Sequence, residues 1–111
     1  MVSRMSYRKG RRFEYRVKKF LEERGFVVFR IAGSKPVDLI AINGTFNIVM
    51  IIECKNMKMS NSRLEVELEL LQKKINIPPK KVTYAVFYNE KGKIKVYPRY
   101  ILHMLKALME E

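Results

Sequence analysis

The stretch Val37-Asp38-Leu39-Ile40-Ala41-Ile42-Asn43-Gly44-Thr45-Phe46-Asn47-Ile48-Val49-Met50-Ile51-Ile52-Glu53-Cys54-Lys55 constrains the chain more than any other. Two apolar, β-rich runs flank a short Asn/Gly/Thr segment, which is the pattern of a β-hairpin. If Gly44 to Asn47 form a four-residue loop, Asp38 faces Glu53 across the ladder. A tighter turn at Asn43-Gly44 would set Asp38 opposite Val49 instead. In either register the two-residue period keeps Asp38, Glu53 and Lys55 on one face.

Two carboxylates directly opposed in a ladder have Cβ atoms about 5 Å apart, and like charges there are destabilising. A divalent cation such as Mg²⁺ offsets the repulsion, because it takes oxygen ligands, needs one or two carboxylates and completes its shell with water and phosphate. Lys55 would add a mobile positive charge beside it. Taken alone, Glu-x-Lys describes many solvated strand ends. The aspartate at hairpin spacing in a basic chain is what turns it toward a metal site.

With 111 residues the chain is expected to form one domain, 1–111, and its 48% apolar content excludes disorder. No apolar run approaches the ~18 residues that span a bilayer. The basic N-terminus lacks the apolar stretch of a secretory signal, so an intracellular, cytoplasmic protein with no membrane association is expected. A single cysteine, Cys54, gives no disulfide framework, and a single histidine, His103, supplies no zinc site. Any metal is therefore oxygen-ligated: Mg²⁺, with Mn²⁺ as the alternative and no small-molecule cofactor. Cys54 alternates away from Glu53 and is expected to pack as a small apolar residue.

The net charge of +12 implies a polyanionic partner, nucleic acid first, since neutralising phosphates releases counterions without sequence readout. The cations cluster ahead of the hairpin. Arg4, Arg8, Lys9, Arg11 and Arg12, with Arg30, Lys35 and Lys58 further on, are the expected DNA contacts.

Helical spacing of Phe13, Val17, Phe20 and Leu21 predicts a first helix over Ser6–Arg24, stopped by Gly25. Gly10, Glu14, Val17 and Leu21 form one stripe, which places the Glu14 carboxylate inward or at the stripe's edge, where it would pair with Lys18. Phe26–Ile31 reads as a strand, followed by the turn Ala32-Gly33-Ser34-Lys35-Pro36 and the hairpin. Ser60 or Ser62 caps a helix through Leu64, Leu68, Leu71 and Ile75, whose Glu65, Glu67 and Glu69 read as a solvated acidic face. Val82–Tyr88 and Lys93–Tyr97 are strands about a turn at Asn89-Glu90-Lys91-Gly92. Pro98 opens a last helix with the apolar stripe Ile101, Leu102, Leu105, Leu108 and Met109, with Met104 beside it, which covers the sheet or a second subunit. The expected fold is α/β: a mixed five-stranded sheet flanked by helices, in the order αβββαββα.

Lys9-Gly10-x-x-x-Glu14, Gly25-Phe26, Arg30, Ser34, Asp38-Leu39-Ile40-Ala41, Glu53-Cys54-Lys55 and Gln72 resemble, in this order, the archaeal Holliday junction resolvases of the PD-(D/E)xK nuclease superfamily. The resemblance implies a restriction-endonuclease-like fold and a homodimer that cuts four-way DNA junctions, with roles in recombination and repair. It also implies that Asp38, Glu53 and the Cys54 backbone carbonyl hold the metal, that Lys55 stabilises charge or orients water, that Glu14 contributes from the first helix, to catalysis or to the metal, and that Ser34 lies in a catalytic loop. Val37 stands where the superfamily motif has proline, and Pro36 lies one place early. The expected chemistry is in-line attack of a metal-activated water on phosphorus, with Lys55 stabilising the developing charge. The alternatives are the same nuclease chemistry on flaps, nicks or duplex sites, and a non-catalytic DNA-binding module.

Overall fold

A computed structural model describes residues 4–33 and 35–108, with backbone alone for 4–7. Ser34 and the Arg4 side chain, both singled out above, and Met109 of the last stripe lie outside the described residues. The elements are α1 (Arg4–Glu22), β1 (Val27–Arg30), β2 (Leu39–Asn43), β3 (Ile48–Lys55), α2 (Asn61–Ile75), β4 (Thr83–Glu90), β5 (Lys93–Tyr97) and α3 (Arg99–Ala107).

The five strands lie in the order β1-β2-β3-β4-β5. All neighbours are antiparallel except β3 and β4, which run parallel with α2 as the crossover. Sequence and structure therefore agree on a mixed sheet in αβββαββα order. Strand alternation then divides the core in two. Leu39, Ala41, Met50, Ile52, Ala85 and Phe87 pack under Phe13, Val17, Leu21, Ile101 and Leu105 of α1 and α3. On the other face, Ile51, Tyr84 and Val86 meet Leu64, Leu68 and Leu71 of α2. Ile101 and Leu105 of the α3 stripe are thus spent on the protein's own sheet, with Leu102, Met104 and Leu108 half-buried against the same core.

Local chemistry sets the ends of these elements. Gly25, at φ 86, lets its N–H reach Glu22 O while Phe26 N reaches Leu21 O, closing α1 with a 6→1 and 5→2 pair that turns the chain into β1. Ser60 caps α2 through Arg63 N (3.3 Å), so the earlier of the two candidate serines serves. Asn43 pairs with Ile48, and the four residues between them form the loop, in which Asn43 Oδ1 accepts from Phe46 N. The tighter Asn43-Gly44 turn does not form, because the Asn43 side chain is needed to hold the longer one. Conversely, the β4–β5 turn is shorter than expected. Asn89 and Glu90 belong to β4, and only Lys91 (φ 52) and Gly92 (φ 80) turn the chain.

Candidate active site

The β2–β3 pairing ends at Leu39↔Ile52, and Asp38, in the bend just before β2, lies beside Glu53 of β3 at that end of the sheet. Asp38 N donates to Ile52 O, and Cys54 N donates to Asp38 Oδ2 at 2.8 Å, so backbone on both sides fixes the aspartate. The two carboxyls come within hydrogen-bond reach of each other. Burial pushes Glu53 up to about 7, and the neighbouring Asp38 charge pushes the same way. Burial would also raise Asp38. The Lys35 ammonium and the Cys54 amide outweigh it and hold Asp38 below the usual carboxylate range. One member of the pair is thus poised to carry a proton near neutral pH while the other stays ionised.

Glu14 turns inward from α1, as one of its two expected placements had it. Lys18, its expected i+4 partner, pairs with Glu22 at 2.8 Å. Glu14 instead holds Arg30 Nε at 2.9 Å and Lys35 Nζ at 3.0 Å, and Lys35 reaches on to Asp38 Oδ1 at 2.6 Å. A chain Arg30–Glu14–Lys35–Asp38 therefore ties the first helix, the end of β1 and the loop before β2 to the carboxylate pair. Desolvation lowers the Lys35 pKa, but bonds to Asp38 and Glu14 more than reverse it.

Lys55 projects from the same face as Glu53, 3.9 Å from it, and also lies 3.6 Å from Glu67 on α2. The acidic face expected on α2 is thus only partly solvated, since Glu67 meets Lys55 and Glu65 accepts from the Tyr97 hydroxyl. The signal for Glu67 was present in the sequence: three residues after Leu64 and four before Leu71, it lies beside the buried stripe. The Cys54 side chain points to the α1 face, and burial raises its thiol pKa well above the ordinary value, in keeping with a packing role. Lys58 is exposed beyond β3, and Gln72, half-buried on α2, forms no part of the cluster.

The donor set suits an oxygen-ligated divalent ion. Glu53 is destabilised by Asp38 as metal ligands are before the metal arrives, and the Cys54 carbonyl belongs to the strand segment between Glu53 and Lys55. Among the described residues no group of three His, Cys, Asp or Glu side chains converges, so Asp38 and Glu53 are the side-chain pair on which such an ion would depend. No described helix is long and apolar enough to cross a membrane.

A mixed sheet carrying Asp38 and Glu53-x-Lys55 at one end, with a glutamate entering from the first helix, defines a restriction-endonuclease-like fold of the PD-(D/E)xK class. The sequence profile of the archaeal Holliday junction resolvases (Hjc) matches residues 5–82, and the chain belongs to that family. It is 45% identical over 73 residues to the crossover junction endodeoxyribonuclease Hjc of Methanocaldococcus jannaschii, covering 66% of this chain and 52% of that protein. The match thus spans about half the length of that relative. The solved structure of Archaeoglobus fulgidus Hjc, a Holliday junction resolvase from an archaeal hyperthermophile, superposes with a TM-score of 0.56 at 24% identity, covering 84% of this chain and 75% of that one. At that identity the likeness concerns the fold.

Proposed function

We propose that this chain is a metal-dependent endonuclease that resolves four-way DNA junctions by paired cuts. The observation that carries the reading is the adjacent Asp38 and Glu53 carboxyls with Lys55 beside Glu53, in a family named for junction resolution. Asp38, Glu53 and the Cys54 carbonyl would hold Mg²⁺ or Mn²⁺, which supplies a Lewis acid and a water nucleophile of lowered pKa. The chain's own residues do the rest. Lys55, steadied by Glu67, holds a positive charge where charge develops on the phosphate. Glu14 acts through Lys35 and Arg30 to fix Asp38; to serve as a ligand itself it would have to release one of the two. Arg8, Lys9, Arg11 and Arg12 offer charge to the DNA backbone.

Two symmetric cuts need two sites, so a twofold homodimer is the smallest sufficient assembly. With Ile101 and Leu105 of the α3 stripe buried against the sheet, the open face of β1 and β2 is the surface for a second copy. Val27 (59% exposed), Phe29 (52%) and Ile42 (39%) lie there, on the face away from α1. The test of the function is incubation of labelled four-way junctions and matched duplex with and without Mg²⁺. Metal-dependent paired nicks in the junction support the reading, equal cutting of duplex replaces it with general nuclease action, and no cutting with any divalent metal overturns it.

A further inference from the structure

A groove of about 260 Å³ lies between α1 and the far ends of β3 and β4, lined by Lys9, Arg12, Phe13, Arg16, Asn56 and Asn89. None of its cations has a carboxylate partner among the described residues, whereas Lys18, Arg30 and Lys35 are each neutralised. Arg16 is fixed in place, its Nη2 donating to Gly92 O at 2.6 Å and its guanidinium lying 5.7 Å from the Phe13 ring centre.

The two asparagines decide what the groove accepts. Asn89 Oδ1 takes the Gly92 N–H at 2.9 Å, and Asn89 Nδ2 donates to Asn56 Oδ1 at 2.8 Å. Each amide oxygen thereby accepts one bond, and the Asn56 Nδ2 donor has no acceptor among the described residues. A groove lined by three cations without carboxylate partners and a spare N–H donor matches a phosphodiester, which carries a full negative charge and accepts at every exposed oxygen, better than a neutral base edge. We propose that this groove binds a non-scissile backbone phosphate of the DNA, with Asn56 as its register-setting donor. This rests on the nuclease reading above. Asn56 is three residues past Glu53, on the order of 10 Å along the strand. Such a subsite would grip the cleaved strand within about three nucleotides of the cut, at 3.4 Å rise per nucleotide.

The test measures metal-free binding of junctions in which single phosphates near the cut are replaced by neutral methylphosphonates, using wild type, Asn56→Ala and Arg12→Ala. Arg12 is exposed, so its variant folds even if loss of the asparagine pair disturbs the β3 end. One phosphate is expected whose neutralisation weakens wild-type binding about tenfold. The same replacement should cost each variant far less, a non-additivity that locates the contact. In wild type it should also loosen the position of cutting once Mg²⁺ is added. Additive losses at every phosphate overturn the subsite and leave the nuclease reading intact. Failure to bind DNA at all overturns both.

Discussion

Lys35 Nζ lies 2.6 Å from Asp38 Oδ1, so a protein cation already touches the carboxylate pair. A fixed positive charge at that distance opposes a second cation as strongly as it stabilises the aspartate. Lys35→Ala is expected to bind Mg²⁺ severalfold more tightly at pH 8, while Glu14 loses one of its two partners and catalysis falls. Titration calorimetry checks the affinity. An unchanged constant would mean that Lys35 swings clear of Asp38 when metal binds.

Glu53 gives the site a pH dependence with a definite sign. Its folded-state pKa of about 7 lies above the unfolded value of 4.5, so the folded protein takes up the proton more readily. Its contribution to metal-free stability is fully present below pH 4.5 and is lost as pH rises through 7. Glu53→Gln, neutral at all pH, should therefore stabilise the metal-free protein at pH 8 by roughly 1–3 kcal/mol, with the gain shrinking toward pH 5. Urea melts at both pH values measure it. Since metal must displace that proton, wild-type affinity should drop up to about tenfold per pH unit below 7.

Separating chemistry from binding is the next expectation. Asp38→Asn and Glu53→Gln each leave a side chain of the same size but remove a charge from the pair. Cleavage should be lost, and DNA affinity should stay equal or rise, because less negative charge faces the phosphates. Gel-shift and cleavage assays on one junction check both halves. Wild-type cleavage by either variant would remove the pair from the site.

The face that carries Asp38, Glu53 and Lys55 was legible in sequence because it is local. A two-residue period and a loop length suffice to bring Asp38, Glu53 and Lys55 together, and only the loop length was open. The Glu14–Arg30–Lys35 connections were not legible, since they join a helix, a strand end and a loop whose relative placement depends on how α1 packs. Periodicity put Glu14 at an inward stripe but could not choose between Lys18 beside it and two cations arriving from elsewhere. Glu67 was missed for a different reason. It was grouped with Glu65 and Glu69 by composition, although its spacing from Leu64 and Leu71 sets it apart. The asparagine pair, 33 residues apart, carried no local signal.

The basic residues divide into two groups with different expected phenotypes. Arg30 is committed to Glu14, with 16% of its side chain exposed, whereas Arg12 is exposed in a groove without acids. Arg12→Ala should reduce the slope of log affinity against log salt by about one unit. Arg30→Ala should leave that slope nearly unchanged and lower cleavage through Glu14. Equal salt slopes for the two variants would show that Arg30 leaves Glu14 when DNA binds.

The last expectation concerns assembly. Phe29 and Ile42 expose apolar surface at the β1–β2 end of the sheet face on which α2 packs against β4, whereas Leu105 of α3 is fully buried. If a second copy seats on β1 and β2, Phe29→Asp or Ile42→Lys should give a monomer that keeps its fold, because neither side chain supports the core. Leu105→Ala should do the opposite, costing about 2–5 kcal/mol of stability while leaving the contact surface intact. Light scattering at micromolar concentration, read alongside thermal melts, separates the two effects. Junction cleavage should then follow the dimer: the Phe29 variant should nick one strand at a time, since each monomer carries only one site. Dimers persisting in both surface variants would move the interface off this sheet face.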